Sequence, residues 1–251
     1  MKEQGSDPAD LLGGQEAVQS LLRRLELLPQ LLRRQEEEAI IAAVGLSPDW
    51  LEEQRQGCLG ETTLVDWLAA KGWQAHDLDL HLARPEALKR FASQRFGPGL
   101  EDLFLASQGA YDQIVYSLLR VRDPSLAQEL WIRLEEGETT FAEVAANFSE
   151  GPEAARKGVI GPMPIGQIQP PVLAQWLRSL KPGQLHPPTP LADWVVLLRL
   201  EQLTPARFDA QMQELLLNQQ LDAFLDERVR LRLNDQHLDP IHYDPEAGDQ
   251  P

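Results

Sequence analysis

The side chains able to do chemistry are few in this sequence, and their spacing argues against the common catalytic arrangements. Ser117 would need a histidine general base to act as a nucleophile, and no histidine stands at an interpretable position beside it. Cys58 lies between Gly57 and a leucine–glycine pair, a stretch typical of a helix end. A small buried cysteine is common at such a place. The sequence therefore predicts neither a serine hydrolase nor a thiol enzyme.

The five histidines do not form a predicted metal site either. His76 and His81 alternate with aspartates, but two histidines that share a metal on one helix stand four residues apart. His237 and His242 lie in an acidic, proline-containing segment near the C-terminus. His186 is the only histidine of the central segment, and a surface role is favoured for it over a catalytic one. No metal and no cofactor are predicted.

The charge balance argues against several classes of partner. The 251 residues carry 39 acidic side chains against 23 lysines and arginines, which gives a net charge of −16. No basic stripe is present to neutralise phosphates, so a nucleic-acid partner is not expected. An anionic membrane surface is disfavoured for the same reason. No apolar run approaches the roughly 18 residues of a membrane span, so membrane insertion is not expected.

The N-terminal residues and the cysteine count bear on location. Residues 1–14 are polar, and we predict a flexible leader that lacks the apolar core of a secretory signal. The single cysteine excludes an intramolecular disulfide framework and fits a reducing compartment. These features predict a cytoplasmic protein.

Helical signals fill the N-terminal part of the chain. Over residues 18–44 the apolar positions recur at three- and four-residue spacing, which is typical of an amphipathic helix. Ser47 before Pro48 strongly predicts a helix start. A serine side chain can accept a hydrogen bond from a free backbone amide of the first turn, and the amide that proline lacks would have no partner at the first helical position. A later helix is interrupted by Pro85 in this prediction. Residues 15–110 are therefore predicted to form a helical, chaperone-like domain.

The C-terminal part is also predicted to be helical. Thr204 followed by Pro205 is a cap and first helical position, and the apolar pattern continues to about residue 233. A helix this apolar needs a partner, so we expect residues 203–234 to pack on the N-terminal helices. Residues 235–251 are predicted to form a disordered acidic tail.

The segment 111–202 differs from both flanks because it contains strand signals. Asp123, Thr140 and the Pro170-Pro171 pair start three helices within it. The predicted fold class is α+β, with a small four-stranded sheet and packed helices inserted into an all-α domain that the N-terminal helices and the long C-terminal helix form together. Short apolar runs place the strands at about 114–121, 159–164, 184–188 and 194–201.

This central segment carries several short motifs in a fixed order: residues 127–134 followed by Gly137, Phe141-Ala142-Glu143-Val144-Ala145, Phe148-Ser149, Gly158-Val159-Ile160-Gly161, residues 180–185 and residues 196–201. In this order they resemble the parvulin (PpiC-like) family of peptidyl-prolyl cis-trans isomerases. The flanking helices resemble those of SurA-type chaperones, which carry a parvulin insert. Residues 27–32 and 115–120 are most similar to cyanobacterial members associated with peptide maturation and export.

The resemblance implies a foldase that isomerises X–Pro bonds of unfolded or exported polypeptides. The polar site residues of the family are replaced here: the first-strand histidine by Ser117 or a neighbour, the acid or cysteine after the Phe-Ser pair by Gly151, and the last-strand histidine by Val196. The apolar side of the family's pocket is retained, and we expect it to hold the proline ring through Met163, Ile168, Val172, Leu173 and Trp176.

The replaced polar residues leave alternatives open. Isomerisation needs no proton transfer or covalent step, so a pocket that prefers the twisted bond to both planar states can retain some activity. The alternative is a catalytically inactive, parvulin-shaped chaperone or an accessory subunit of a peptide export system. The expected partners are unfolded or proline-containing polypeptide and, in the last case, an export machine.

Overall fold

The computed structural model describes residues 15–60 and 62–246. The described residues form ten α-helices, two short 3₁₀ helices at Pro152–Arg156 and Ile165–Gln167, and four strands. The helices are α1 Gln15–Arg24, α2 Leu28–Val44, α3 Pro48–Leu59, α4 Leu64–Lys71, α5 Ala75–Phe96, α6 Leu100–Tyr111, α7 Pro124–Glu135, α8 Phe141–Phe148, α9 Pro171–Ser179 and α10 Ala210–Leu233. The strands are β1 Gln113–Val121, β2 Val159–Pro164, β3 Leu185–Leu191 and β4 Trp194–Thr204.

Side-chain caps begin several of these helices, as their residue types predict. Ser47 accepts a hydrogen bond from a backbone amide of α3, and Asp123 does the same for α7. Thr140 forms a capping box with Glu143 at the start of α8. Such caps satisfy amides that have no partner inside the helix. The predicted starts of these three helices are confirmed.

The four strands form one antiparallel sheet in the order β2-β1-β4-β3, and the predicted α+β class is confirmed. The third strand is longer than predicted and holds Pro187, Pro188 and Pro190. It lies at an edge of the sheet, where a residue without an amide donor is tolerated. Its pairing with β4 shifts register between His186 and Thr189.

Each face of the sheet is covered by helices because the side chains of a strand alternate between the two faces. On the face that we call the pocket face, α9 packs against Ile114, Tyr116, Leu118, Val196, Leu198 and Leu200. On the opposite face, α7 and α8 pack against Leu119, Val121, Val195 and Leu197. The two strands at the centre of the sheet, β1 and β4, contribute to both cores.

The described chain divides into two compact units. The sheet unit comprises Glu101–Asp209, and the helical unit comprises the described residues up to Leu100 together with those from Ala210 onward. The core of the helical unit joins α2, α5 and α10, with Ile40, Phe91 and Leu225 among its buried side chains. None of the described helices combines the length and the apolar character that crossing a membrane requires.

Two helix boundaries differ from their prediction. Pro85 does not interrupt α5, which is continuous through it; the neighbouring Ala83 and Ala87 are buried in the helical core, and this packing offsets the lost hydrogen bond. The last helix begins at Ala210 and not at Pro205. Strand β4 extends to Thr204 instead.

The C-terminal tail also differs from its prediction over the residues that the structure describes. Ile241 and Tyr243 pack against the core of the helical unit. Gln94 and Asp244 exchange two hydrogen bonds, one of them from the Asp244 amide to the Gln94 side chain at 3.0 Å. Apolar anchors and paired backbone groups therefore order a segment whose composition suggests disorder. The predicted leader, residues 1–14, and residues 247–251 of the predicted tail lie outside the described residues.

Candidate functional site

A pocket of about 580 Å³ opens on the pocket face of the sheet, beside the start of α9. This volume lies in the range of small-molecule and peptide side-chain sites. Its walls come from the four strands, the turn before β4, and the start of α9 with the segment that leads into it. The lining residues are Tyr116, Leu118, Arg120, Ile160, Gln169, Pro170, Leu173, Leu191, Ala192, Trp194 and Val196.

The alternation of β1 and β4 explains the character of the pocket floor. Tyr116, Leu118 and Arg120 are two residues apart and so point to one face. Val196 lies directly opposite Arg120 in the antiparallel pairing, and its side chain is buried. The guanidinium of Arg122 lies 4.6 Å from the centroid of the Trp194 ring, at the end of the same strand pair. The floor is therefore apolar with a phenol and a cation at its edge.

The Tyr116 hydroxyl lies in an environment that disfavours its ionisation. Burial raises the pKa of Tyr116 above its ordinary value of 10.0; Arg120 opposes this rise and Glu153 adds to it. Loss of the hydroxyl proton would place a charge in a desolvated site, which is costly. The pocket therefore holds a neutral phenol, able to donate one hydrogen bond, throughout the physiological range.

The raised pKa of Tyr116 gives a testable pH dependence. The folded state holds the Tyr116 proton more tightly than the unfolded state does, so this contribution to stability is present below pH 10 and is lost as the pH rises through the folded-state pKa. We expect an ultraviolet titration of the folded chain to show a tyrosine that ionises late. The Tyr116→Phe chain should lose that late phase; an unchanged titration would contradict the burial of this hydroxyl.

A polar cluster closes one end of the pocket. The Nε of Arg120 donates to Glu153 Oε1 at 2.9 Å, and the Ser149 hydroxyl donates to the same oxygen at 2.6 Å. The Ser149 hydroxyl also accepts from the Arg120 amide at 3.2 Å, and the Glu150 amide donates to the Arg120 carbonyl at 2.9 Å. The loop after α8 thus holds Arg120 through its backbone and its side chain together.

The three positions predicted from the family's polar residues do not come together in the pocket. Val196 lines it. Ser117 lies on the opposite face, 2% exposed, where its hydroxyl donates to Glu201 at 2.5 Å; the β1 residue that faces the pocket is its neighbour Tyr116. Gly151 precedes the first 3₁₀ helix, next to the Glu153 carboxylate.

Of the five apolar residues predicted to hold a proline ring, Leu173 lines the pocket. Ile168 is buried in the core beneath α9, and Met163 packs against that core from β2. Val172 is half-buried one residue before Leu173. Trp176 stacks on His186, with ring centroids 5.0 Å apart. One turn of α9 places Leu173 toward the pocket and Trp176 toward the edge strand β3.

Several pocket residues were missed in the sequence, and one signal for them was present. Once Val196 is placed on the pocket face, the period of two in β4 puts Trp194 on the same face. Tyr116 and Arg120 follow from the same rule only when the pairing of β1 with β4 is known. The register of the β1–β4 pairing shifts between Val115 and Tyr116, and no local sequence pattern predicts such an irregularity.

Residues 123–202 match the family model described as the rotamase, or PPIC-type PPIASE, domain. The sheet unit resembles a PpiC-type peptidyl-prolyl isomerase. The match contains α7, α8, β2, α9, β3 and β4 up to Gln202, and so most of the pocket. Strand β1, which supplies Tyr116 and Arg120, lies before the matched residues.

One named relative and several solved structures are similar to this chain. The chaperone SurA of Xylella fastidiosa (strain 9a5c) is 28% identical over 108 residues, which are 39% of this chain and 23% of that protein. Solved structures of the peptidylprolyl isomerase PrsA are 16% identical: the one from Bacillus anthracis covers 84% of this chain and 99% of its own, with a TM-score of 0.48, and the one from Bacillus cereus covers 99% and 95%, with a TM-score of 0.49. The aligned part is thus about a quarter of the SurA relative.

Histidine, cysteine and carboxylate side chains do not cluster into a metal site within the described part of the chain. Cys58 is a free, exposed thiol near the end of α3. The chemistry of the sheet unit therefore rests on its pocket and on the Arg120 cluster.

Proposed function

We propose that the sheet unit accelerates cis-trans isomerisation of X–Pro bonds in unfolded polypeptide. The observation that carries this proposal is the apolar pocket on the pocket face of the sheet, lined by Leu173, Trp194 and Val196 within the segment that matches the isomerase family. Its volume and apolar walls suit a proline ring. The SurA relative, a chaperone by name, supports unfolded polypeptide as the client.

Isomerisation of an X–Pro bond requires no covalent step from the protein. Rotation about a peptide bond has a barrier of about 18–20 kcal/mol, and X–Pro bonds isomerise unaided in tens to hundreds of seconds. Acceleration requires only that the twisted bond is bound more tightly than either planar form. An apolar floor holds the ring, while Tyr116 and Arg120 at its edge offer hydrogen bonds to the backbone that flanks it.

The polar part of this site differs from the family pattern, so we propose a degenerate isomerase. Valine stands where the last-strand histidine is expected, and the first strand presents a tyrosine to the pocket. Both replacements remove an ionisable imidazole, and Tyr116 and Val196 still line the pocket. Modest rate acceleration with retained binding of proline peptides is the expected behaviour.

A pair of tryptophan variants tests the pocket directly. Trp194→Ala removes a pocket wall, whereas Trp176→Ala makes the same chemical change in the same unit but outside the pocket. In a protease-coupled assay on a peptide with one Ala–Pro bond, Trp194→Ala should lower kcat/KM by about tenfold, with Trp176→Ala within twofold of the wild type. Equal losses in the two variants would place the site elsewhere. No acceleration by micromolar wild-type protein would contradict the proposal itself.

A second function, chaperone activity without catalysis, is favoured by a groove in the helical unit. This groove has a volume of about 830 Å³ and lies between α5 and α10. Leu88 and Leu217 are half-buried and supply its apolar surface, Leu221 and Leu225 are buried beneath them, and charged side chains such as Arg33, Lys89 and Asp222 also line it. Suppression of aggregation of a denatured client by the wild type, together with an inactive proline assay, is the result that selects this function.

We also propose the finer assignments of client and location. The sequence similarities of residues 27–32 and 115–120 support three of these assignments. They are exported polypeptides as clients, an export machine as partner, and kinship with cyanobacterial peptide-maturation proteins. A cytoplasmic location is supported by the free, exposed Cys58, because such a thiol persists in a reducing compartment. Affinity capture with the tagged chain and cell fractionation test these assignments.

A further inference from the structure

The loop after α8 contains a buried carboxylate that binding of a proline ring does not use. The side chain of Glu153 is 2% exposed, and one of its oxygens, Oε1, is held by Arg120 and Ser149. The other oxygen, Oε2, is fully buried and has no hydrogen-bond partner among the described residues. A buried carboxylate with an unpaired oxygen is costly to maintain, so a compensating role is expected for this group.

Glu153 accounts for the glycine at position 151. The backbone of Gly151 is extended, with φ −102 and ψ 173, a conformation open to every residue type. A Cβ at this position would lie 2.3 Å from Glu153 Oε2, 2.4 Å from Oε1 and 2.5 Å from Arg120 Nε. The Glu153 carboxylate therefore occupies the space in which a side chain of residue 151 would begin.

The Glu153 carboxylate also holds the Arg120 guanidinium in place at the pocket. Arg120 lines the pocket, and its Nε points to Glu153. A guanidinium carries further N–H donors on its two Nη groups, and the ion pair compensates its charge in a partly desolvated place. Ser149 and Glu150 also hold the backbone of Arg120 on both its amide and its carbonyl. The orientation of this side chain is thus set before any ligand enters.

An oriented donor has a use in isomerisation of an X–Pro bond. As the C–N bond twists, its partial double-bond character is lost, and the lone pair becomes localised on the nitrogen. A hydrogen bond to that nitrogen is then stronger in the twisted state than in either planar state. Donors that are already in place stabilise such a state without a reorganisation cost.

We propose that Arg120 is the hydrogen-bond donor that contacts the X–Pro bond, that Glu153 is the residue that positions it, and that residue 151 is glycine because the Glu153 carboxylate fills its side-chain space. This inference rests on the proposed isomerase function. It assigns the polar role in the pocket to residues 120 and 153, neither of which occupies a position predicted from the family.

The test exchanges the carboxylate between two positions. Glu153→Ala should lower kcat for the Ala–Pro peptide by about tenfold with KM within twofold, because the donor loses its orientation while the apolar floor remains. Adding Gly151→Asp to Glu153→Ala returns a carboxylate to the vacated space, and this double variant should recover activity to within about threefold of the wild type. The matched double variant with Gly151→Ala adds only a methyl group and should remain impaired.

Three outcomes decide the matter, with folding checked by near-ultraviolet circular dichroism and Glu153→Leu, which also lacks an acceptor oxygen, used if the alanine variant does not fold. If the wild type is active and Glu153→Ala or Glu153→Leu stays within twofold of it, or if the two double variants recover equally, the inference is overturned and the isomerase function stands. If the wild type binds the peptide in calorimetry without accelerating isomerisation, the isomerase function is overturned, and the donor role of Arg120 is overturned with it. A wild type that neither binds nor accelerates overturns both.

Discussion

Gly161→Ala is expected to lower the unfolding free energy of the sheet unit by about 3–5 kcal/mol. Gly161 lies in β2 with φ +111, a backbone conformation that residues with a Cβ rarely adopt. A Cβ there would also lie 2.4 Å from the carbonyl oxygen of Ile114 on the neighbouring strand. The strand must move away from β1 to relieve this contact, and Ile160 would leave the pocket wall with it.

Gly137→Ala is the matched control for this change. Gly137 follows α7 in the same unit with φ +71, and no atom beyond its two chain neighbours lies within 4 Å of the place that an alanine methyl group would take. The only cost at Gly137 is that of holding a residue with a Cβ in a left-handed backbone conformation, which is about 1–2 kcal/mol. Urea unfolding of both variants measures the difference, and isomerase activity of the Gly161→Ala chain should fall as well. Equal destabilisation by the two changes would contradict the close approach of β2 to β1.

Glu36→Ala is expected to destabilise the helical unit by about 3 kcal/mol. Glu36 is 4% exposed in α2, and its carboxylate accepts from Arg228 at 2.5 Å and from Arg232 at 3.1 Å, both in α10. Removal of the carboxylate leaves the largely buried Arg228 without its anionic partner, which costs more than the pair itself contributes. Arg228 also donates to the carbonyl of Asp239, so the tail should loosen in the same variant.

A control for Glu36→Ala is available on α10. Glu227 pairs with Arg230 on that helix, and both side chains are exposed, so Glu227→Ala should leave stability unchanged. Hydrogen exchange of the α10 amides around Leu225 reports the helical unit separately from the sheet unit. Unaltered exchange in the Glu36→Ala chain would show that the ion pair between α2 and α10 is not formed.

Local features of this fold could be predicted because they depend on neighbouring residues alone. The caps at Ser47, Asp123 and Thr140 each act within one helical turn, and residue type is enough to recognise them. Strands β1, β2 and β4 were placed within a few residues by apolar runs and flanking turns. The order of strand and helix motifs then indicated the parvulin-type isomerase family, whose domain model residues 123–202 match.

The candidate site depends on long-range geometry, and the sequence left most of it undetermined. The sequence left the first-strand position open between Ser117 and a neighbour, and in the structure the neighbour Tyr116 lines the pocket while Ser117 does not. A shift of one residue moves a side chain to the other face of a sheet, so local spacing alone does not decide between them. The filling of the space at Gly151 by Glu153 is a tertiary contact that no spacing rule describes. Continuity of α5 through Pro85 likewise depends on packing in the helical core, which overrides the local preference.

Exchange spectroscopy on a peptide with one Ala–Pro bond is the most direct test of an X–Pro site in this pocket. Substoichiometric wild-type protein should produce exchange between the cis and trans signals of the peptide. In the reverse experiment, saturating peptide should shift the amides of Ile160, Leu173 and Val196 more than those around Trp176. If exchange between the cis and trans forms remains as slow as in free peptide, and if the amides of the three pocket residues do not shift, both the site and the activity proposed for it are contradicted.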